Sequence, residues 1–210
     1  MQKTLVIGAN GQIGQLFCRI AADKNLPVKA MVRNKSQTEF FSSLDIETVI
    51  GDLEADFEHC FDDCNRVIFT AGSGGHTGAD KTLMIDLYGA VRAIDLSVTK
   101  DIQHFIMVSA LRAELPLSAP EKLRPYMVAK LMADKYLVDS KLPATILRPG
   151  RLTDEPATQK VRIPEPRDRD PITISRENVA YYLAECLANN SCIGKTIDLL
   201  DGDSPISHTF

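Results

Sequence analysis

Tyr126 and Lys130 stand four positions apart in the stretch RPYMVAK, so on a helix both side chains project from one face. A tyrosine near pKa 10 is a weak proton donor at neutral pH and needs a neighbouring positive charge to work as an acid or base. An ammonium about 4 Å away, at an effective dielectric near 20, favours the phenolate by roughly 4 kcal/mol, which is enough. Such a pair can protonate a carbonyl oxygen while hydride reaches the adjacent carbon. Ser109, at the end of the apolar run HFIMVS, can hydrogen-bond the same oxygen. Ser109, Tyr126 and Lys130 are therefore the candidate catalytic set. The competing reading is a packed tyrosine and a solvated lysine, and only position in the fold separates the two.

A hydride needs a source, and the strongest local signal supplies one. In LVIGANGQIGQLF, Gly8, Gly11 and Gly14 lie between an apolar strand pattern and an amphipathic helix pattern. Gly8 permits a tight turn, Gly11 lets the backbone approach a diphosphate, and Gly14 allows close packing of helix on strand. The helix N-terminus then offers free amides to the anion. At the end of the second strand pattern, AMVRNKSQ carries Arg33 and no acidic residue between positions 29 and 38. A carboxylate there would bind the ribose hydroxyl of NAD, whereas an arginine accommodates the extra phosphate of NADP. NADP is the expected cofactor, with a solvated strand-end arginine as the alternative.

Two further strand ends reach the same edge. VIGDL offers Asp52 to an adenine amino group, or as a plain turn residue, and FTAGSGGHTG places Ala71, Gly72 and a flexible loop nearby. His76 in that loop either reaches a phosphate or substrate or faces solvent. With a cofactor in place, Lys130 would also hold its nicotinamide ribose.

The elements that must position these groups follow from apolar runs. Short β-rich segments such as KTLVIGA, VKAMVR, ETVIGD, RVIFTAG, HFIMVSA, ATILRPG and KTIDLLDG alternate with amphipathic stretches starting near residues 13, 83, 126 and 175. Parallel strands need crossover helices, and those helices cover both faces. The expected fold class is α/β, a Rossmann-type doubly wound parallel sheet forming one domain over residues 1–210. Ser175 is the expected N-cap of the last helix. Four prolines in residues 153–171 forbid a long helix there and predict a loop, with a short strand at KVRI. Some 60 residues follow Gly150, room for a small C-terminal cap and not for a second domain.

Composition excludes several classes. The charged fraction of 25%, the apolar fraction of 44% and a net charge of −4 without basic clusters argue against a nucleic-acid partner. No apolar run is long enough to span a bilayer, and the N-terminus lacks a signal-peptide pattern, so a cytoplasmic location is expected. Five cysteines, at 18, 60, 64, 186 and 192, offer no paired framework. Cys60 and Cys64 with His59 lack a fourth metal ligand, so no metal is expected and these thiols are read as solvated or half-buried.

Together these segments resemble the short-chain dehydrogenase/reductase superfamily: GANGQIG is similar to its GxxGxxG turn and YMVAK to its YxxxK signature. With FTAGSGGHTGADKTLMIDLYGA, FIMVSA and ILRPGRLTDE, nearly the whole chain resembles the small atypical NAD(P)-binding group of bacterial proteins labelled NAD-dependent epimerase/dehydratase, related to NmrA-like proteins and biliverdin reductase B. The resemblance implies cofactor contacts at Gly8, Asn10, Gly11, Gln12, Ile13, Arg33, Asp52, Leu53, Ala71, Gly72 and Lys130, and a nicotinamide-side wall from Pro149 and Gly150. It also implies a departure, because Asp86 takes the place of the superfamily's catalytic asparagine. The leading expectation is an NADP(H)-dependent oxidoreductase acting on a small-molecule carbonyl or similar acceptor as a monomer or homodimer. The alternatives are a non-catalytic NADP sensor and a flavin- or tetrapyrrole-type reductase.

Overall fold

The computed structural model of the chain describes residues 3–75, 77–164 and 172–209. Its strands are β1 (Thr4–Ile7), β2 (Val28–Val32), β3 (Glu47–Ile50), β4 (Arg66–Phe69), β5 (His104–Val108), β6 (Ala144–Pro149), β7 (Arg151–Thr153), β8 (Lys160–Arg162), β9 (Thr173–Ser175), β10 (Thr196–Asp201) and β11 (Ser204–Pro205). The α-helices are α1 (Gln12–Asp23), α2 (Thr38–Ser42), α3 (Ala79–Lys81), α4 (Gly89–Thr99), α5 (Arg124–Asp139) and α6 (Arg176–Ala188).

Among the described residues nine strands form one sheet in the order β11-β8-β10-β6-β5-β4-β1-β2-β3, and the seven from β10 to β3 pair in parallel. The alternation of side chains along each strand splits the core in two. Val6, Ile68 and Ile106 point to a cluster with Phe17 of α1 and Val179 and Leu183 of α6. Leu5, Ile7, Phe69 and Phe105 point to the other, with Ala90 and Ile94 of α4 and Ala133 and Leu137 of α5. Each fully buried side chain of this size contributes about 1.5–3 kcal/mol, so both faces are held by packing. This is the doubly wound, Rossmann-type architecture that the apolar runs imply.

Much of the C-terminal part widens the sheet. β10 docks beside β6 in register Leu199↔Pro149, and β8 and β11 add an antiparallel edge, β8 lying at the expected KVRI strand. The cap reduces to the small parallel pair β7–β9. Residues 165–171 of the expected 153–171 loop lie outside the described residues. At the opposite edge β3 is half-exposed, unlike the buried central strands. Ser175 caps α6 as expected, its hydroxyl accepting from Asn178 N at 3.0 Å.

One expected element is divided. α3 precedes the helix pattern expected from residue 83 to 100, which begins inside a π-helical stretch over Thr82–Tyr88 and becomes regular only in α4. Wide turns of this kind push a side chain off the regular helical register, and here the stretch carries Asp86. Among the described residues no helix is long and apolar enough to cross a membrane.

Candidate cofactor and catalytic site

β1 ends at Ile7, and Gly8 turns the chain with φ +88, a backbone that favours glycine. The register of β1 on β4 presses this turn against the next loop, so a Cβ on Gly8 would lie 2.4 Å from Ala71 N. A Cβ on Gly14 would lie 2.4 Å from Gly8 O, which fixes how closely α1 approaches the turn. Gly11 is the N-cap of α1 and supplies no capping side chain. The first-turn amides of that helix therefore have no side-chain acceptor and are available to an anion.

A cavity of about 340 Å³ opens in front of this turn, lined by Gly8, Asn10 and Gly11, by Arg33 and Gln37 after β2, by Asp52, Leu53 and Glu54 after β3, and by Ala71, Gly72 and Ser73 after β4. Backbone amides at one end and polar strand-end side chains at the other fit the diphosphate and adenosine portions of a dinucleotide. Arg33 is exposed and forms no ion pair among the described residues. Its loop is held by Gln37, whose Oε1 accepts from Arg33 N at 2.9 Å and Asn34 N at 3.3 Å. Asp52 lines the cavity and also serves the turn, accepting from Glu54 N at 3.0 Å.

Two of the catalytic candidates, Tyr126 and Lys130, lie together at the end of β5. Lys130 is buried; its Nζ donates to Val108 O at 3.2 Å, lies 3.3 Å from Asp86 Oδ1, and stands 5.6 Å from the centroid of the Tyr126 ring. Burial alone pulls the ammonium's pKa down, but the Tyr126 oxygen, the Asp86 carboxylate and Asp134 outweigh it, and the net direction is up. Lys130 is held towards its charged form, and Asp86 offsets much of that charge. The assistance expected for Tyr126 from an unshared ammonium at 4 Å is correspondingly diluted. The second Asp86 oxygen accepts from Ser73 N at 2.9 Å, tying the loop after β4 to the same ion pair.

Ser109 N donates to Leu147 O at 2.7 Å, which locks the residue to β6. Its buried hydroxyl faces the Asp134 carboxyl, whose pKa burial raises against the opposing pull of Ser109 and Arg148, yet the contact falls short of a well-aligned hydrogen bond. Asp134 accepts instead from Arg148 Nε at 2.9 Å.

Several expected contacts lie away from the cavity. Gln12, Ile13, Gly14, Ser109, Tyr126, Lys130, Pro149 and Gly150 do not line it. Gly150 is required by packing, since a Cβ there would lie 2.3 Å from Ile172 O. His76 lies outside the described residues. Cys60, read as solvated or half-buried, is fully buried, and burial pushes its thiol up to about 11. His59 Nε2 is engaged with Ile50 O at 2.8 Å. Conversely, Gln37, Glu54 and Lys81 line the cavity unforeseen. Gln37 was legible as the partner of Asn34 in a capping box. Glu54 and Lys81, 27 residues apart, had no local signal.

Comparison with known proteins agrees with this geometry. The chain is 42% identical over 212 residues to the uncharacterized sugar epimerase YhfK of Bacillus subtilis, covering 99% of this chain and 98% of that one. A Bacillus halodurans structure named as an NAD-dependent epimerase/dehydratase superposes with a TM-score of 0.94 at 40% identity, over 99% of this chain and 97% of that one. A Veillonella parvula short-chain dehydrogenase/reductase in complex with NADP shares the fold, with a TM-score of 0.74 at 19% identity over 100% and 99% of the two chains. The NAD(P)H-binding family matches residues 8–190, from the first glycine of the turn to the end of α6, and the chain belongs to that family.

Proposed function

We propose that this protein is an NADP(H)-dependent oxidoreductase of the atypical short-chain type that delivers hydride to a small carbonyl or similar acceptor. The observation that carries the reading is the buried Lys130, anchored to Val108 O beside Ser109 and next to Tyr126, at the carboxyl edge that also holds the glycine-lined cavity. The first turn of α1 and the Gly8–Gly11 backbone would hold the diphosphate, and Arg33 the additional phosphate. Bound there, the cofactor supplies the hydride. Tyr126 gives its phenolic proton to the acceptor oxygen, Ser109 turns its hydroxyl from Asp134 to that oxygen, and Lys130 holds positive charge close to the phenol. Arg33 after β2, with no acidic residue between positions 29 and 38, supports the cofactor assignment.

The test is calorimetry with NADPH and NADH followed by a carbonyl screen. Binding of NADPH, and turnover that falls at least a hundredfold in Tyr126→Phe, are expected. Full activity in that variant would remove Tyr126 as the acid. A sugar epimerase, as YhfK is named, returns its hydride to the substrate and consumes no net NADPH, so steady cofactor oxidation separates the two activities.

The Asp86–Lys130 ion pair favours a second acceptor class, flavins or tetrapyrroles, whose conjugated systems need little help from a tyrosine. For such an acceptor Tyr126→Phe would be nearly silent.

A further inference from the structure

Glu54 and Lys81 are paired on the wall of the cavity that Arg33 also lines. Lys81 Nζ donates to both carboxylate oxygens of Glu54, at 2.8 and 2.7 Å, and both residues line the cavity wall. Glu54 comes from the turn after β3 and Lys81 from the last residue of α3, so the contact joins two elements that pack separately. Arg33 forms no such pair among the described residues.

Asp52 already lines this cavity, held to Glu54 N, and a second carboxylate loose beside it would favour NAD twice over. It would repel a ribose phosphate, and it would accept a hydrogen bond from the ribose hydroxyl that replaces that phosphate. A cavity of about 340 Å³ is on the order of 9 Å across, about one Debye length at physiological salt, so salt reduces the repulsion to roughly a third and the effect is largest at low ionic strength. The acidic residue that would be read as an NAD signal is thus present in the fold although absent from the end of β2. With Lys81 bonded to both its oxygens, Glu54 is held in place and its charge is offset, which weakens it both as a repulsive group and as an acceptor.

We propose that Lys81 sets the preference between the two nicotinamide coenzymes by sequestering Glu54, leaving Arg33 as the group that meets the ribose substituent. The inference rests on the NADP reading above and deepens it. Lys81 acts here through Glu54 and is a positioning residue.

The experiment is calorimetric titration of NADPH and NADH into the wild type, Lys81→Ala, Glu54→Gln and the double variant Glu54→Gln/Lys81→Ala, with the thermal midpoint of each cofactor-free protein as the folding control. In Lys81→Ala the ratio of the NADH to the NADPH dissociation constant is expected to fall about fivefold, the size of one partly exposed charge interaction. The double variant, which lacks the loose carboxylate, is expected to return to at least the wild-type ratio, and Glu54→Gln alone to match or exceed it. Equal weakening of both coenzymes in Lys81→Ala would overturn the proposal. So would a double variant that stays as low as Lys81→Ala, because Lys81 would then touch the phosphate itself. A wild type that prefers NADH would sink the NADP assignment alone, since the shift caused by Lys81→Ala is read independently of the starting ratio. No binding of either coenzyme would overturn both.

Discussion

Asp86 Oδ1 lies 3.3 Å from Lys130 Nζ, and both side chains are buried beneath the loop that follows β4. The lysine that ought to support Tyr126 is thus held by a carboxylate where the resembling superfamily carries asparagine. Replacing Asp86 by asparagine keeps an acceptor for Ser73 N but leaves a buried ammonium without its counter-ion. Asp86→Asn is expected to cost about 3 kcal/mol of stability, measured as a fall in the urea midpoint. With the ammonium no longer shared, the limb of the pH–rate profile that Tyr126 controls should move to lower pH. A variant as stable as wild type with an unmoved profile would show that the ion pair matters to neither.

The glycines of the first turn should separate into two kinds. A methyl group at Gly14 meets Gly8 O at 2.4 Å, so Gly14→Ala is expected to destabilise by about 1–3 kcal/mol through forced displacement of α1. At Gly11 the nearest contact is 3.3 Å, so the fold should tolerate alanine while the approach of a diphosphate is obstructed. Gly11→Ala should keep its thermal midpoint within a few degrees and bind NADPH at least tenfold more weakly by calorimetry.

Arg33 should discriminate between coenzymes. A charge-assisted contact with a phosphate is worth about 1.5–3 kcal/mol, so Arg33→Ser is expected to weaken NADPH binding by roughly ten- to a hundredfold. NADH affinity should barely change. Equal losses for both would place the guanidinium on the diphosphate.

His104 gives the fold an acid-sensitive point. Its Nε2 lies 2.8 Å from Thr145 Oγ1, whose single proton goes to Cys192 O at 2.8 Å, so the imidazole must donate from Nε2. Burial first, and the charge of Arg66 second, push its pKa down from 6.5 to about 4. The unfolded chain takes up this proton more readily than the folded one. The stabilisation is therefore complete above pH 6.5 and is lost as pH falls towards 4, a change of about 3 kcal/mol. Urea titrations at pH 7 and pH 4.5 should show a smaller drop between the two conditions in His104→Gln than in wild type.

Legibility in the sequence followed the range of each interaction. Central strands such as Val28–Val32 and His104–Val108 are buried along their length, so continuous apolar runs announced them. The turn at Gly8 and the cap at Ser175 are local devices with local signatures. The π-helical stretch at Thr82–Tyr88 was not legible, because its residues read as an ordinary amphipathic helix and only contact with the β4 loop draws Asp86 inward. The short edge strands β7, β9 and β11 have no periodicity to detect in two or three residues. Neither the Asp86–Lys130 pair nor the Glu54–Lys81 pair leaves a trace along the chain, since each joins residues far apart in sequence.

The docking of β10 against β6 bears on how the chain is made. Until residues 196–201 leave the ribosome, the apolar strand Ala144–Pro149 has one row of amides and carbonyls with no neighbour, an open flank that invites pairing with another nascent chain. Folding of this sheet therefore waits for residues 196–201. A truncation before Thr196 should yield inclusion bodies instead of a smaller working protein.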